Sequence, residues 1–211
     1  MGGIQLPVDP KDNDMRITGG ILSGRRYQAP PGSVRPTQDR VRESLFAQLG
    51  ERLVGARVLD LFAGSGALGL EAWSRGAARV CWIERDPKVF RVLRANVTAL
   101  CRDPERPVQM LCKNVFSALK TLESKEPFDI ILADPPYAMH SDSSEFGKLF
   151  QLTGERALLS PGGFFVLEHA DREGLSERAG WHLVRARKYG ETKISIWEVR
   201  HDPDRHISRY I

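Results

Sequence analysis

The chain lacks any run approaching the ~18–20 consecutive apolar residues of a membrane span, and its first residues, Met1-Gly-Gly-Ile-Gln-Leu-Pro, carry none of the basic and apolar blocks of a secretory signal. Cysteine is scarce: Cys81, Cys101 and Cys112 are an odd number at spacings that suit neither a disulfide framework nor a zinc site. No metal is therefore expected, and the thiols are expected to stay reduced in the cytoplasm. Charge of one sign is not dominant either. A formal net charge of +4 is compatible with a polyanionic partner without requiring one. Internal repeats and low-complexity tracts are also missing. What is present, 41% hydrophobic and 27% charged residues in 211, suits one sizeable globular domain.

Residues 1–14 are polar and hold Pro7 and Pro10, so they are expected to form a disordered leader, with Met15 as a candidate natural start. N-terminal sequencing of natively expressed protein would decide that start. Residues 15–54 form a basic extension. Short β-like runs at Met15–Thr18 and Gly24–Tyr27, on either side of Gly19-Gly20, predict a small strand or hairpin. Thr37 is placed to N-cap a helix bearing Val41, Leu45 and Leu49 on one face.

From residue 55 to 200 the pattern alternates. Strand-like runs at Arg57–Phe62, Arg79–Glu84, Val108–Cys112, Phe128–Asp134 and Phe164–Glu168 are separated by helical patterns at Gly66–Arg75, Pro87–Leu100, Phe116–Glu123 and Glu145–Leu159. That order predicts an α/β fold with a parallel sheet covered on both faces. Trp181–Tyr189 and Lys193–Val199 are joined by a turn too short for a parallel crossover, so the last pair must be antiparallel. A mostly parallel, seven-stranded sheet ending in an antiparallel hairpin is the layout of Rossmann-like, class I methyltransferases that use S-adenosylmethionine (SAM). Residues 201–211 are expected to be a frayed tail.

Two stretches carry chemistry. The first strand runs into Ala63-Gly64-Ser65-Gly66-Ala67-Leu68-Gly69, a G-x-G-x-x-G turn whose glycines permit a sharp bend and close approach of a ligand to the helix N-terminus. Glu84, about 20 residues on, is placed to accept from ribose hydroxyls. By that fingerprint alone a dinucleotide dehydrogenase also fits. Asp60 favours SAM, because a carboxylate can meet the methionine ammonium and would repel a pyrophosphate. Phe62, Ala63, Arg85 and Val115 flank these positions and join the expected cofactor set. Asn114 can pair with an adenine edge or simply cap the following helix.

The second stretch is Asp134-Pro135-Pro136-Tyr137 at the exit of the fourth strand. An exocyclic amine is a poor nucleophile because its lone pair is delocalised into the ring. Acceptors on its hydrogens localise that pair toward a methyl electrophile. The Asp134 side chain and the Pro135 carbonyl are candidate acceptors, held by the constrained Pro135-Pro136 pair, and Tyr137 offers a stacking face. His140 lies in the following Met139–Glu145 loop, where it could shuttle a proton or simply fold over the substrate with the loop, and Glu168 and His169 end the fifth strand near the ligand edge, where either could line the pocket.

The Asp-Pro-Pro-Tyr box resembles those of SAM-dependent amino-methyltransferases acting on adenine N6, guanine N2 or glutamine N5. The wider chain, from Met15 to about Val199, resembles the RsmD family of 16S rRNA guanine-N2 methyltransferases. The matching segments are Met15-Arg16-Ile17 with Gly20, Ser23-Gly24-Arg25, Arg35-Pro36-Thr37, Asp39-Arg40-Val41-Arg42-Glu43, Val58 to Gly69, Glu84-Arg85-Asp86 and the Asp134–Tyr137 box. The resemblance implies a monomeric enzyme that modifies one guanine of the assembled or assembling small subunit. In that setting Arg16, Arg25, Arg26, Arg35, Thr37, Arg40 and Arg42 are the candidate RNA contacts, since arginine forks suit phosphates and base edges. Arg40 and Arg42 fall on different helix faces and should not share a role.

Overall fold

The computed structural model describes residues 14–29, 36–122, 126–136, 139, 143–170 and 178–199, the side chains of residues 36–38, 143 and 155 excepted. The expected leader up to residue 13, Arg35, Tyr137, His140 and the 201–211 tail lie outside the described residues, whereas Asp14, assigned to the leader, is paired in a strand.

Parallel strands β3 (Arg57–Leu61), β4 (Arg79–Glu84), β5 (Val108–Cys112), β6 (Phe128–Ala133) and β7 (Leu159–Ala170) build a sheet with the antiparallel β8 (Trp181–Tyr189) and β9 (Thr192–Val199). Spatial order is β5-β4-β3-β6-β7-β9-β8. The chain steps outward from β3 to β4 and β5, then returns to lay β6 on the other side of β3. The carboxyl ends of β3 and β6 thus flank the point where the order reverses, the place where open α/β sheets bind ligands. β3 itself is apolar on both faces, with Val58, Leu59 and Leu61 fully buried, as a central parallel strand requires.

Helices α2 (Ala67–Ser74), α3 (Pro87–Leu100), α4 (Val115–Thr121) and α5 (Ser143–Glu155) fill the crossovers. Two core clusters result, one on each side of the sheet. Val58, Trp82, Leu93, Leu132 and Val166 belong to one. Leu59, Leu61, Ile131, Phe150, Phe165 and Trp197 belong to the other. All four tryptophans are buried.

The extension forms a two-stranded hairpin, β1 (Asp14–Arg16) with β2 (Arg26–Gln28), followed by α1 (Pro36–Leu49) and a 3₁₀ turn at Gly50–Leu53. The helix starts at Pro36, one residue before the expected cap Thr37, with proline at its first position where its missing N–H costs nothing. The fifth helix ends earlier than its apolar pattern suggests, at Glu155, and β7 starts at Leu159 instead of Phe164. Ser160-Pro161-Gly162-Gly163 reads as a turn, yet the strand runs through it with a register shift against β6 between Phe128 and Ile130. Bulged strand edges admit proline and glycine in this way.

The extension is not a loose appendage. Met15, Ile17 and Tyr27 are buried in the same core as α2 and α3. Between β1 and β2 the chain clamps onto the end of α2: Thr18 donates its N–H (2.9 Å) and hydroxyl (2.6 Å) to the two Glu71 oxygens. Ile21 N–H reaches the Ser74 carbonyl at 2.8 Å, and Leu22 N–H reaches its hydroxyl at 2.9 Å. Gly20 has φ +77, and a Cβ there would collide with the Ser74 carbonyl, so only glycine fits this contact.

Among the described residues no helix is long and apolar enough to cross a membrane.

Candidate active site

β3 ends in a turn with unusual backbone. Phe62, a non-glycine, has φ 60, followed by Gly64 at φ 56 and Gly66 at φ 95. Strain of this kind persists where surrounding structure enforces it and is concentrated at functional sites. Cβ atoms at Gly66 and Gly69 would run into Leu93 and the Trp82 indole, respectively, whereas one at Gly64 would meet open space. Two glycines therefore serve packing, and the third leaves backbone exposed where a ligand can approach. Ser65 and Gly66 are themselves buried, and Ala63 N–H is tied to the Ile83 carbonyl at 2.9 Å.

A residue the sequence did not single out fixes this turn. Asn96, buried on α3, donates to the Ser65 carbonyl at 3.0 Å and exchanges two hydrogen bonds with the Gln28 backbone. The glycine turn and the N-terminal hairpin thus share one amide. A lone asparagine within an amphipathic helix pattern gives no sequence signal of this.

Two acids frame the turn. Asp60 is 1% exposed and accepts from Gly69 N–H at 2.9 Å. Burial drives its carboxyl up to about 8; that bond opposes the shift, while Asp134 and Glu84 add to it, and among the described residues no cationic side chain offsets it. Glu84 accepts from Gly64 N–H at 2.9 Å and from Asp86 N–H at 2.8 Å, each oxygen keeping a lone pair for a further donor. Arg85 is exposed, Val115 is buried at the start of α4, and Asn114 Oδ1 caps that helix by accepting from Phe116 and Ser117 N–H. The helix-cap alternative for Asn114 is therefore realised, with its amide NH2 still available to a ligand.

A carboxylate buried without a counter-cation and a glycine turn open at Gly64 fit a nucleoside cofactor carrying a positive charge. Asp60 also makes a prediction. Its folded-state pKa lies above the unfolded value of about 3.9, so its stabilising contribution is complete below that pH and is lost as pH rises toward 8. The ligand-free protein should melt at lower temperature at pH 8 than at pH 5. Asp60→Asn, which preserves the acceptor for Gly69, should flatten that slope; identical slopes in scanning calorimetry would refute the assignment.

Across the switch point, Asp134, Pro135 and Pro136 follow β6. Asp134 opens to solvent, yet enough protein surrounds it to raise its carboxyl to about 6. Pro135 is buried, and Met139 N–H returns to the Pro136 carbonyl at 2.8 Å, folding the segment back after the box. Next to it on β7, Glu168 is raised to about 8 by burial and then by Asp134. His169 points away, bonded to Ser195 Oγ at 2.9 Å.

The arginines divide. Arg16, Arg25, Arg26 and Arg40 are exposed, with Arg16 Nε 3.4 Å from Asp39 and Arg26 4.0 Å from Asp14. Arg42 corrects the expectation of an RNA contact. It is 4% exposed and donates to the Arg16 carbonyl and Asp39, both at 2.8 Å, and its Nε lies 3.5 Å from fully buried Glu71. It faces inward because its helix position matches that of the apolar stripe, so it binds the extension to α2 instead of a polyanion. Tyr189 of β8 anchors the far side of α1 through the Ser44 hydroxyl at 2.6 Å.

A family model described as Conserved hypothetical protein 95 matches residues 15–198. The chain belongs to that family. This is the family of the ribosomal RNA small subunit methyltransferase D of Escherichia coli K12, which is 35% identical over 92% of this chain and 95% of its own. Among solved structures, the Conserved hypothetical protein 95 fold is shared with the putative methyltransferase yhhF of Escherichia coli, at TM-score 0.77 and 34% identity over 89% of this chain and 98% of that one. It is also shared with the Thermus thermophilus 16S rRNA N2 G1207 methyltransferase (RsmC), solved with AdoMet and guanosine, at TM-score 0.65 and 27% identity. That match covers 89% of this chain and 50% of the other. The family span takes in both the basic extension and the methyltransferase-like sheet, which the hydrogen bonds between the hairpin and α2 join.

Proposed function

We propose that this chain is a SAM-dependent methyltransferase that methylates the N2 amine of a guanine in 16S rRNA of the small ribosomal subunit, acting in the cytoplasm as a monomer. The observation that carries the reading is the placement of Asp60, the open Gly64 turn and Glu84 on one side of the switch point, with Asp134-Pro135-Pro136 on the other. The names of the relatives from Escherichia coli and Thermus thermophilus supply the substrate class.

In this reading Asp60 meets the ammonium of the cofactor, the Gly64 backbone lies against its body, and Glu84 accepts from ribose hydroxyls. Phe62, Ala63, Ser65, Gly66, Arg85, Asn114 and Val115 complete the cofactor set. When bound, the cofactor supplies a methyl group already activated by a sulfonium, so the protein needs no covalent intermediate. Asp134 accepts one N–H of the amine and the Pro135 carbonyl the other, concentrating the nitrogen lone pair on the side facing the cofactor. Asp134, raised to about 6, then takes the proton that leaves the nitrogen on one of its carboxylate oxygens. Pro136 fixes the backbone, and Tyr137 stacks on an unpaired base that has left its helix. Arg16, Arg25, Arg26, Arg35 and Arg40, with Thr37, hold the RNA backbone.

Incubating the protein with methyl-tritiated SAM and small subunits from a strain lacking the modification should place label in 16S rRNA as N2-methylguanosine. Label as N6-methyladenosine, or in protein as methylglutamine, would refute the guanine reading while leaving the amine chemistry standing.

A further inference from the structure

The strand register places a second acid beside the catalytic one. β6 and β7 run parallel with Leu132 beside Val166 and Ala133 beside Leu167. One step further, Glu168 continues β7 and Asp134 is the first residue after β6. Side chains alternate along a strand, so both acids emerge on the face to which Leu132 and Val166 belong. Asp60, level with Leu132 on β3, belongs to this face too. Neighbouring strands lie about 4.8 Å apart, within the reach of one purine edge. Glu168 is half-buried, its carboxyl feels Asp134 directly, and among the described residues it accepts no hydrogen bond. A buried carboxyl without donors is costly unless a ligand supplies them.

Guanine supplies them in a distinctive order. Its Watson–Crick edge carries the N2 amine and, immediately adjacent, the N1–H, two neighbouring donors. Adenine and cytosine each set a ring-nitrogen acceptor beside their amine. We propose that Glu168 accepts the N1–H of the target guanine while Asp134 accepts from its N2 amine, making Glu168 the residue that selects guanine. The assignment rests on the guanine reading above and adds the residue that enforces it.

The test uses small subunits carrying either guanine or 2,6-diaminopurine at the methylated nucleotide. The two bases share the N2 amine, but diaminopurine replaces the N1–H with an acceptor. Assayed at about pH 8.5, above the raised value of Glu168 so that its carboxyl is ionised and can only accept, the wild-type protein should favour guanine in kcat/KM by about 10–100-fold, the range of one hydrogen bond to a charged group. Glu168→Gln should lose most of that preference, because its amide can donate to the diaminopurine nitrogen, and Glu168→Asp should restore part of it. Affinity for SAM should be unchanged in both variants, as neither alters Asp60, Glu84 or the glycine turn. An undiminished preference in Glu168→Gln would overturn the assignment and leave the guanine reading intact. If the wild-type protein transfers its methyl to a base other than guanine, both fall.

Discussion

Replacing Asp134 with alanine lowers single-turnover methyl transfer by roughly 10²–10³-fold, the cost of removing one preorganised electrostatic partner of a transition state. Binding of SAM, measured by calorimetry, changes little. The reason lies in the division across the switch point. The groups assigned to the cofactor are on β3, β4, the turn after β3 and the segments that follow β4 and β5, while Asp134 stands at the exit of β6. Removing a raised carboxyl also relieves like-charge pressure on Asp60 and Glu168, so the variant should fold at least as well as the wild type. Asp134→Asn keeps an acceptor for the amine but cannot take the proton, and should fall between the two. A variant with full turnover would refute the acceptor role. A loss caused by collapse of SAM affinity would transfer Asp134 to the cofactor site.

Glu71→Ala should be the most damaging substitution far from the chemistry. Glu71 is fully buried and serves Thr18 through its N–H and hydroxyl, Arg75 at 2.8 Å and Arg42 at 3.5 Å. Removing it leaves buried Arg42, among the described residues, with only Asp39 and the Arg16 carbonyl, and strips Thr18 of its acceptor. Breaking a buried ion pair from one side costs about 3–5 kcal/mol. For a chain of this size that corresponds to a fall in melting temperature of roughly 6–20 °C. Glu71→Gln, which still accepts from Thr18, should lose less. Urea denaturation gives the number; a loss below about 1 kcal/mol would mean that the clamp between the extension and α2 adds nothing to stability.

Burial of Arg42 and Glu71 also shows why the basic extension was only half legible. Arginines at 16, 25, 26, 40 and 42 look alike in sequence, and charge alone assigns all of them to a polyanion. The helical period separates Arg40 from Arg42, yet it cannot say that the inward position will meet a carboxylate on α2, about thirty residues away. Glu71 itself sits in an apolar helix between Leu70 and Ala72, where a lone acid gives no hint of its partners. The same holds for Asn96, whose role depends on a hairpin strand and a turn that come together only in the folded chain.

The fold was legible for a simple reason. Strand and helix periods, the glycines that must bend the chain after β3 and the turn too short for a crossover before β9 are local constraints, and local constraints are written in consecutive residues. They determine the parallel sheet, its antiparallel end, the ligand edge and the Asp134-Pro135-Pro136-Tyr137 box. Long-range register is not local. Where β7 starts, which arginines face water, that Asp60 spends one oxygen on Gly69, and that Glu168 stands abreast of Asp134 were decided by tertiary packing. Each depends on the alignment of segments remote in sequence, and burial beside one another, not residue type, sets the charge and partners of these acids.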